Sequence, residues 1–382
     1  MARNRLWETF CALTDIYSPS FGERQLCDFL KARLGRLSVE CHEDAAGERF
    51  GGSCGNLYGF LAGSAGASQT PLLFSAHMDT VEPALGKRPF LRGDGRVTSQ
   101  GSTILGADDN AGIAVLLEAL ARLKEGNLPH CPVELLFPIA EERYCLGSAE
   151  ADYSLFRSKE AYVLDLSGEI GEAAHAAPTI LSVSVTVEGK AAHAGFAPQD
   201  GVHAIAVAAK AIARIPQGES RAGAETASPS VPVTCNLGQI SGGEADNIVP
   251  ARCKVTGEIR SFSHEAAIAR WELVKAVFAE EADKAGAVIQ AEHKVGITAY
   301  ETPLDAEVAK RFQRACGENG IPCRIHATMG GSDNNNFALH GIKGLVLACS
   351  MHDVHSAREW CRLDELEACT RLVLSLVRAD VR

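Results

Sequence analysis

The pattern of apolar residues changes twice along this chain of 382 residues, and the change constrains the fold more than any other feature. Before about residue 165, short apolar runs such as 71–76 and 133–139 alternate with helical segments such as 111–123. This alternation predicts an open α/β sheet with much parallel pairing. Residues 180–187 instead alternate strictly between apolar and polar side chains, which predicts a strand with one exposed face.

The segment that begins there has its own order of elements. Strands are predicted at 180–187, 233–240, 251–262 and 288–295, helices at 202–215 and 264–285, and a loop at 217–232. This β-α-β-β-α-β order is the split ferredoxin-like pattern. The alternation of apolar runs with helical segments returns after residue 298. A chain of 382 residues is also too long for one hydrophobic core of ordinary size. We therefore predict one α/β domain (1–179 and 298–382) that is interrupted by an inserted α+β domain (180–297).

Composition argues against several classes of function. The formal net charge is −11 and no stretch is dense in Lys and Arg, so we expect no nucleic-acid partner. The N-terminus lacks the apolar run of an export signal, and no window reaches about 18 consecutive apolar residues. We therefore expect a cytoplasmic protein without a membrane partner. The thirteen cysteines include no CxxC pair and are interpreted as reduced, mostly buried thiols rather than zinc ligands.

Potential metal ligands follow the predicted strands. His77 and Asp79 lie two residues apart, so Asp79 is placed to orient the imidazole of a metal-binding histidine. A buried histidine with satisfied hydrogen bonds is the alternative. Asp108 and Asp109 stand in a Gly-flanked turn before an apolar helix. Capping of that helix explains one of the two carboxylates but not both.

A pair of glutamates follows the apolar run at 133–139. Glu141 and Glu142 are costly in such a place unless a cation neutralises them, and a metal ion would do so. Adjacent side chains point in different directions, so one can bind metal while the other transfers a proton. An exposed strand end with a salt bridge to Arg143 is the alternative.

The remaining motifs are weaker one by one. Asp165 closes a strand, where a lone aspartate is most often a turn former, and the pattern alone does not choose between His352 and His355 in their polar loop. Together the motifs supply imidazole and carboxylate but no thiolate, which suits Zn²⁺, Mn²⁺ or Co²⁺. Two such ions can share a carboxylate and bridge a hydroxide, while a nearby Glu moves the proton.

With these motifs the sequence resembles a known family, the co-catalytic zinc peptidases. This family includes peptidase T, carboxypeptidase G, acetylornithine deacetylase and succinyl-diaminopimelate desuccinylase. The resemblance covers nearly the whole chain and rests on the motifs HMDT, LGADDNAG, AEE, LD and HSARE in that order. It implies a three-layer α/β catalytic domain with an inserted ferredoxin-like lid and dimerisation domain. The barrel-shaped glutamyl aminopeptidases and the compact single-domain aminopeptidases fit the spacing less well.

The resemblance implies a set of protein ligands that bind two metal ions. The ions are most simply zinc, with cobalt or manganese as alternatives. Asp108 corresponds to the bridging carboxylate. His77 and Asp165 correspond to the other ligands of one ion, and Glu142 and His355 to those of the second ion.

The same resemblance implies roles next to the ions. Glu141 corresponds to the general base, and Asp79 to the partner that orients His77. Members of the family also have a non-proline cis peptide after the bridging aspartate, here Asp108–Asp109.

In the insert, the resemblance implies residues that act on the substrate. His193 corresponds to a histidine that stabilises the oxyanion, often that of the partner subunit, and a surface histidine after a strand is the alternative. The exposed sheet and helices of the insert favour a homodimer formed through this domain. Asn247 and Arg260 correspond to positions that hold the substrate's carboxylate, and Gly331 to a loop that lines the pocket.

Motif details favour the peptidase T branch, which predicts an aminopeptidase that acts on tripeptides or other short peptides. An N-acyl-amino-acid deacylase or desuccinylase is the alternative, and a metal-binding homologue without catalysis is a further one. Asn110 stands where the family commonly has Lys. Because of this difference, the resemblance alone does not specify a particular substrate.

Overall fold

The computed structural model describes residues 5–64, 70–222 and 231–378. The chain forms two compact units. The first unit runs to Ala176 and resumes with Glu301–Thr328 and again from Ser332, while the second comprises Ala177–Tyr300 and Met329–Gly331. The chain thus leaves the first unit near residue 177 and returns to it near residue 301. The domain limits predicted above differ from these by a few residues and remain a prediction.

The chain up to Ala177 forms the strands predicted at 71–76 and 133–139 and the helix predicted at 111–123, together with further elements. The helices are α1 (Arg5–Thr14), α2 (Arg24–Arg36), α3 (Ala107–Glu125) and α4 (Leu146–Ala149). The strands are β1 (Glu40–Glu43), β2 (Leu57–Leu61), β3 (Leu72–Ser75), β4 (Pro89–Leu91), β5 (Arg96–Ser99), β6 (Val133–Phe137), β7 (Glu160–Leu166) and β8 (Glu172–Ala177).

The second unit contains strands β9 (Thr179–Glu188), β10 (Gly218–Ala222), β11 (Val231–Gly242), β12 (Arg252–Ser261) and β13 (Val288–Ile297), with helices α5 (Ala204–Arg214) and α6 (His264–Ala285). Its antiparallel sheet has the order β10-β11-β12-β9-β13. The predicted β-α-β-β-α-β order is confirmed, but the loop predicted at 217–232 is wrong in part because β10 adds a strand there. Residues 223–230 of that loop lie outside the described residues.

Alternation along β9 explains how this sheet packs. The apolar side chains of Leu181, Val183 and Val185 are buried and join one core with α5 and α6. The intervening Ser182 and Ser184 are half-buried and lie on the opposite face. Within the described residues, the helices of this unit therefore pack on one face of the sheet, as the strict alternation predicts.

The rest of the chain returns to the first unit. It forms helices α7 (Glu307–Glu318), α8 (Asn334–Leu339) and α9 (Leu363–Arg378) and strands β14 (Tyr300–Glu301), β15 (Arg324–Ala327), β16 (Lys343–Ala348) and β17 (Trp360–Arg362). The main sheet has the order β1-β2-β6-β3-β7-β16-β8-β14, with β15 paired to β8, and its central strands β6, β3, β7 and β16 are parallel.

Both faces of the main sheet are covered, as an α/β fold requires. Successive residues of β3 point to opposite faces, so Phe74 joins a large core with α1, α3 and α9, and Leu73 joins a smaller core with Phe337 of α8. This arrangement is the three-layer α/β fold expected of the catalytic domain.

A second, small sheet was not predicted. β17 pairs with β5, which pairs with β4, all antiparallel. These strands are only three or four residues long, and their sequences carry no clear alternation. Among the described helices, none is both long and apolar enough to cross a membrane.

Candidate metal centre

The four parallel strands at the middle of the main sheet each lead to a predicted site residue. His77 follows β3, Glu141 and Glu142 follow β6, Asp165 lies near the end of β7, and His355 lies in the loop after β16. The carboxyl ends of neighbouring parallel strands meet at one edge of a sheet, where α/β proteins build their sites. Parallel pairing thus brings residues together that are far apart in sequence.

Asp108 joins the two histidines. Its Oδ1 lies 3.0 Å from His77 Nε2, and its Oδ2 lies 3.1 Å from His355 Nε2. One carboxylate therefore faces two imidazoles with different oxygens, which is the arrangement of a carboxylate shared by two ions.

The other predicted ligands complete the two groups. Asp165 Oδ1 lies 3.9 Å from His77 Nε2, and Glu142 Oε1 lies 3.0 Å from His355 Nε2. Two ligands of one tetrahedral zinc ion, each bound at about 2.0–2.1 Å, are about 3.3 Å apart. The observed separations bracket this value. Ligand atoms of His77, Asp108 and Glu142, and likewise of His77, Glu141 and Asp165, lie within 4.8 Å of one another.

A buried oxygen of Glu142 supports this interpretation. Oε1 is close to His355 Nε2, yet it has no hydrogen-bond partner of acceptable geometry. A buried carboxylate oxygen without a partner is costly. Two ligands of one cation lie close together without being aligned for a hydrogen bond, so a bound ion accounts for both facts.

Main-chain groups hold the ligands in place. His77 Nδ1 is 2.9 Å from the main-chain oxygen of Asp79 and 3.4 Å from its carboxylate. The carboxylate of Asp79 accepts hydrogen bonds from the main-chain N–H groups of Glu141 (2.9 Å) and Glu142 (3.2 Å). Asp79 therefore orients the glutamate pair as well as His77. The Asp108–Asp109 peptide is cis, as the resemblance predicts.

Asp109 and His352 make contacts that stabilise the surrounding backbone and side chains, and neither is placed as a metal ligand. Asp109 accepts hydrogen bonds from the N–H of Gly112 in α3 and from the N–H of His77, so the capping alternative holds for this residue. His352 Nε2 is 2.8 Å from Glu365 Oε2, and its ring stacks on Trp360. Of the two histidines in this loop, only His355 reaches the carboxylate cluster.

The pKa shifts in the cluster show that its buried carboxylates repel one another and would be stabilised by a cation. Burial raises the pKa of Asp165 and of Glu141 well above the ordinary values, and neighbouring carboxylates raise both further. The neighbouring carboxylates of Asp108 and Glu142 raise the pKa of His355 to about 10. Burial opposes ionisation of Asp108, but hydrogen bonds with His355 and His77 hold its pKa below the ordinary value.

The residues present fit a pair of divalent ions. Four carboxylates and two imidazoles converge, and two divalent cations would offset the mutual repulsion of the carboxylates. Cys145 Sγ lies 3.2 Å from Glu141 Oε1, but burial raises the pKa of this thiol well above its ordinary value. Cys145 is therefore a hydrogen-bond donor to Glu141 rather than a thiolate ligand.

In the second unit, His193 and Asn247 lie together. The main-chain oxygen of Asn247 accepts a hydrogen bond from Ala194 (2.9 Å), and both His193 and Asn247 are exposed. His193 Nδ1 accepts hydrogen bonds from the N–H groups of Gly195 and Phe196. The proton of the neutral ring is therefore on Nε2, which leaves Nε2–H as the available donor.

Arg260 has a partner that sequence reasoning missed. Its guanidinium makes two hydrogen bonds to Glu258 (2.6 and 3.0 Å) and one to the main-chain oxygen of Met329 (2.6 Å). The alternation of β12 puts residues 258 and 260 on the same face, which was the available signal. Gly331 packs against Ile297, where a Cβ would come within 2.0 Å of Cδ1.

Buried acids around the centre were also missed. Glu23 Oε1 accepts hydrogen bonds from Phe21 N and Ala140 N, and burial raises its pKa to about 7. Asp333 accepts a hydrogen bond from Ser148, and burial raises its pKa to about 6. Glu359 is 1% exposed and contacts the turn that carries Asp108. Glu359 lies in the HSARE motif and Asp333 in the Gly-rich loop of Gly331, but neither acid was assigned a role from the sequence.

The fold and this centre define a metal-dependent peptidase. Family models agree: "Peptidase dimerisation domain" of the M20 peptidases matches residues 176–286, "Peptidase family M28" matches 56–176, and "M42 glutamyl aminopeptidase" matches 274–372. The M28 match lies in the first unit, and the M42 match lies mostly there. The dimerisation model covers most of the insert, and neither of the other two models spans the whole chain.

Full-length relatives are consistent with this class. The aminopeptidase PepT from Bacillus cereus is 34% identical, with a TM-score of 0.89 over 99% of this chain and 98% of that chain. A tripeptidase from Staphylococcus aureus is 29% identical, with a TM-score of 0.93 over the same shares. The uncharacterized protein YqjE from Bacillus subtilis is 34% identical over 98% of this chain and 97% of its own length. The chain belongs to the M20-type peptidase family.

Proposed function

We propose that the protein is an aminopeptidase that hydrolyses tripeptides or other short peptides with a pair of divalent ions, most simply zinc. The observation that carries the proposal is the position of Asp108 between His77 and His355, with Glu141 beside the same cluster. The similarity to the PepT aminopeptidase and to the tripeptidase supports the substrate class.

We assign the ligands as the resemblance implies. His77, Asp108 and Asp165 would hold one ion, and Asp108, Glu142 and His355 the other. Bound there, the ions supply Lewis acidity, which polarises the scissile carbonyl and lowers the pKa of an attacking water to near 7.

Glu141 is proposed as the general base. Its Oε1 accepts a hydrogen bond from Cys145, and its main-chain N–H is held by Asp79, so the carboxylate has a defined position. It takes a proton from the attacking water and delivers that proton to the nitrogen of the leaving amine. Asp79 acts indirectly, by orienting His77 and the glutamate pair.

Residues of the insert are proposed to act on the substrate. His193 would donate from Nε2 to the oxygen of the scissile carbonyl as negative charge develops there. Arg260 and Asn247 would bind the substrate's carboxylate, with Gly331 in the adjoining loop. Because Glu258 already pairs with Arg260, a bound carboxylate shares or displaces this partner.

The dimerisation model supports a homodimer formed through the insert, which we take as residues 180–297 between catalytic segments 1–179 and 298–382. We also retain the cytoplasm as the proposed location, since the thirteen cysteines are free thiols and most are buried.

Hydrolysis of tripeptides is compared with hydrolysis of N-acetyl and N-succinyl amino acids, after addition of zinc, cobalt or manganese. Release of the N-terminal amino acid from tripeptides supports the proposal, whereas release of acetate or succinate alone identifies a deacylase. The Glu141→Gln variant should lose about 10²–10⁴-fold in kcat and keep both ions. If neither substrate class is cleaved although two ions bind, the protein is a metal-binding homologue without catalysis.

A further inference from the structure

A buried carboxylate outside the proposed ligand set accepts hydrogen bonds from the turn that carries Asp108. Glu359 is 1% exposed. Its Oε2 accepts a hydrogen bond from Gly106 N (2.6 Å), and its Oε1 accepts one from Asp108 N (3.0 Å). One carboxylate therefore fixes the two N–H groups on either side of Ala107, immediately before the bridging side chain.

The loop that carries Glu359 also carries His355. Glu359 directly precedes β17, and the pairing of β17 with β5 holds the end of this loop beside the segment that leads to Asp108. His355 then reaches the carboxylate of Asp108 from one side, while Glu359 holds its main-chain N–H. A single loop thus positions both a ligand of the second ion and the ligand shared by both ions.

Lys87 is a buried cation on the same turn. It is 4% exposed, and its Nζ lies 3.4 Å from Thr80 Oγ1. The ammonium group lies against Gly106, since a Cβ at Gly106 would be 2.9 Å from Nζ. Burial lowers the pKa of Lys87 to about 8, and the negative charge of Glu359 opposes this shift. A buried carboxylate is costly without a compensating charge, and Lys87 supplies one nearby.

We infer that Glu359 is a positioning residue that holds Asp108 in its bridging orientation, with Lys87 as its buried counter-charge. This inference rests on the proposed two-metal function. Groups behind the ligands set ligand orientation, and their loss typically lowers metal affinity or activity by 10–100-fold. We therefore assign to Glu359 an effect on the binding of both ions, although it contacts neither set of ligand atoms.

The test compares Glu359→Gln with wild type in the full-length protein, by titrating the metal-free protein with zinc against a chromophoric chelator. Glutamine has the same shape, but its amide NH₂ faces one of the two N–H donors, so one hydrogen bond is lost. We expect the affinity for zinc to fall by about 10–100-fold, with a matching loss of activity at limiting zinc that excess zinc partly restores. A purely structural role would lower stability without this rescue.

Glu365→Gln is the matched control. Glu365 accepts hydrogen bonds from Ser350 and His352 but contacts no residue of the 106–108 turn, so its loss should leave zinc affinity unchanged. Lys87→Met should weaken zinc binding less than Glu359→Gln, and should cause little further loss when the two are combined. If Glu359→Gln does not fold, Glu359→Asp replaces it, because the shorter side chain keeps the charge but cannot reach both N–H groups.

Wild-type zinc affinity in the folded Glu359→Gln or Glu359→Asp variant would overturn the inference. A loss of equal size in Glu365→Gln would also overturn it, because the effect would then not be specific to the turn. These outcomes are separable from failure of the proposed function, which would show as a wild-type protein that binds two ions and cleaves no short peptide.

Discussion

The two units hold their candidate residues in different ways. In the catalytic unit, His77 is 1% exposed and every proposed ligand contacts another one, so the side chains are fixed before any substrate arrives. In the insert, His193 and Asn247 are exposed. The proposed metal ligands are therefore held together by the folded sheet edge, whereas the proposed substrate-binding residues of the insert are open to solvent.

Removal of a ligand should have the largest effect and would test the first half of this comparison. Asp108→Ala should lose both ions and reduce hydrolysis to background, because the shared carboxylate is missing. His355→Ala should lose one ion. His352→Ala is the matched control, since His352 is in the same loop but contacts Glu365. Metal content by plasma mass spectrometry and kcat measure these effects, and equal loss in both histidine variants would contradict the assignment.

Removal of the exposed histidine should separate catalysis from metal binding. We expect His193→Ala to lower kcat by about 10²–10³-fold while two ions stay bound, because a donor to the developing oxyanion is lost. His203→Ala is the control: its Nδ1 also accepts a main-chain N–H, where it caps α5. Steady-state kinetics on a tripeptide provide the measurement. A loss of metal in His193→Ala would place this residue in the centre instead.

Substitution of Arg260 should change substrate binding rather than catalysis. Arg260→Ala should raise KM for a tripeptide by about 10–100-fold, the range for a hydrogen bond to a charged group, with a small change in kcat. A C-terminally amidated tripeptide should show no such increase. Arg252→Ala is the control, since exposed Arg252 lies on β12 like Arg260 but pairs with Glu188 of β9. Equal effects on the free and the amidated peptide would exclude a carboxylate contact.

A buried acid behind the centre should affect stability alone. The pKa of Glu23 is raised to about 7, so the folded protein binds more protons than the unfolded chain between pH 4.5 and 7. The contribution of Glu23 to stability should therefore fall by about 3 kcal/mol as pH rises through this window and stay constant above it. The decrease should be smaller by this amount in Glu23→Gln than in the wild type, because the amide does not titrate. The variant should still fold, because its Oε1 can accept both hydrogen bonds.

Urea unfolding of the metal-free protein at pH 5 and pH 8 measures this difference. Glu40→Gln, at an exposed glutamate, is the control and should follow the wild type. An equal pH dependence in wild type and Glu23→Gln would show that Glu23 does not carry the shift.

The sequence predicted those features that depend on local pattern. Apolar runs gave β3, β6, β7 and β16 within a few residues, and the motifs at their carboxyl ends identified the residues that the sheet brings together. The alternation from 180 to 187 predicted β9 and its half-covered sheet. These signals work because burial repeats with the period of the element.

Other features depend on partners far away in sequence. β17 is three residues long, and it forms because β5 lies beside it. Nothing in the sequence indicated that Glu359 accepts hydrogen bonds from Gly106 and Asp108. Its partners are main-chain N–H groups some 250 residues away. The pairing of Glu258 with Arg260 competes with the predicted carboxylate role and was visible only as a two-residue spacing.

Anomalous diffraction at the zinc edge, from crystals of the wild-type protein grown with zinc, tests the central claim most directly. We expect two peaks about 3.5–4 Å apart, one on each side of Asp108, with His77 and Asp165 at one and Glu142 and His355 at the other. A zinc-saturated crystal without a peak between His77 and His355 would contradict it.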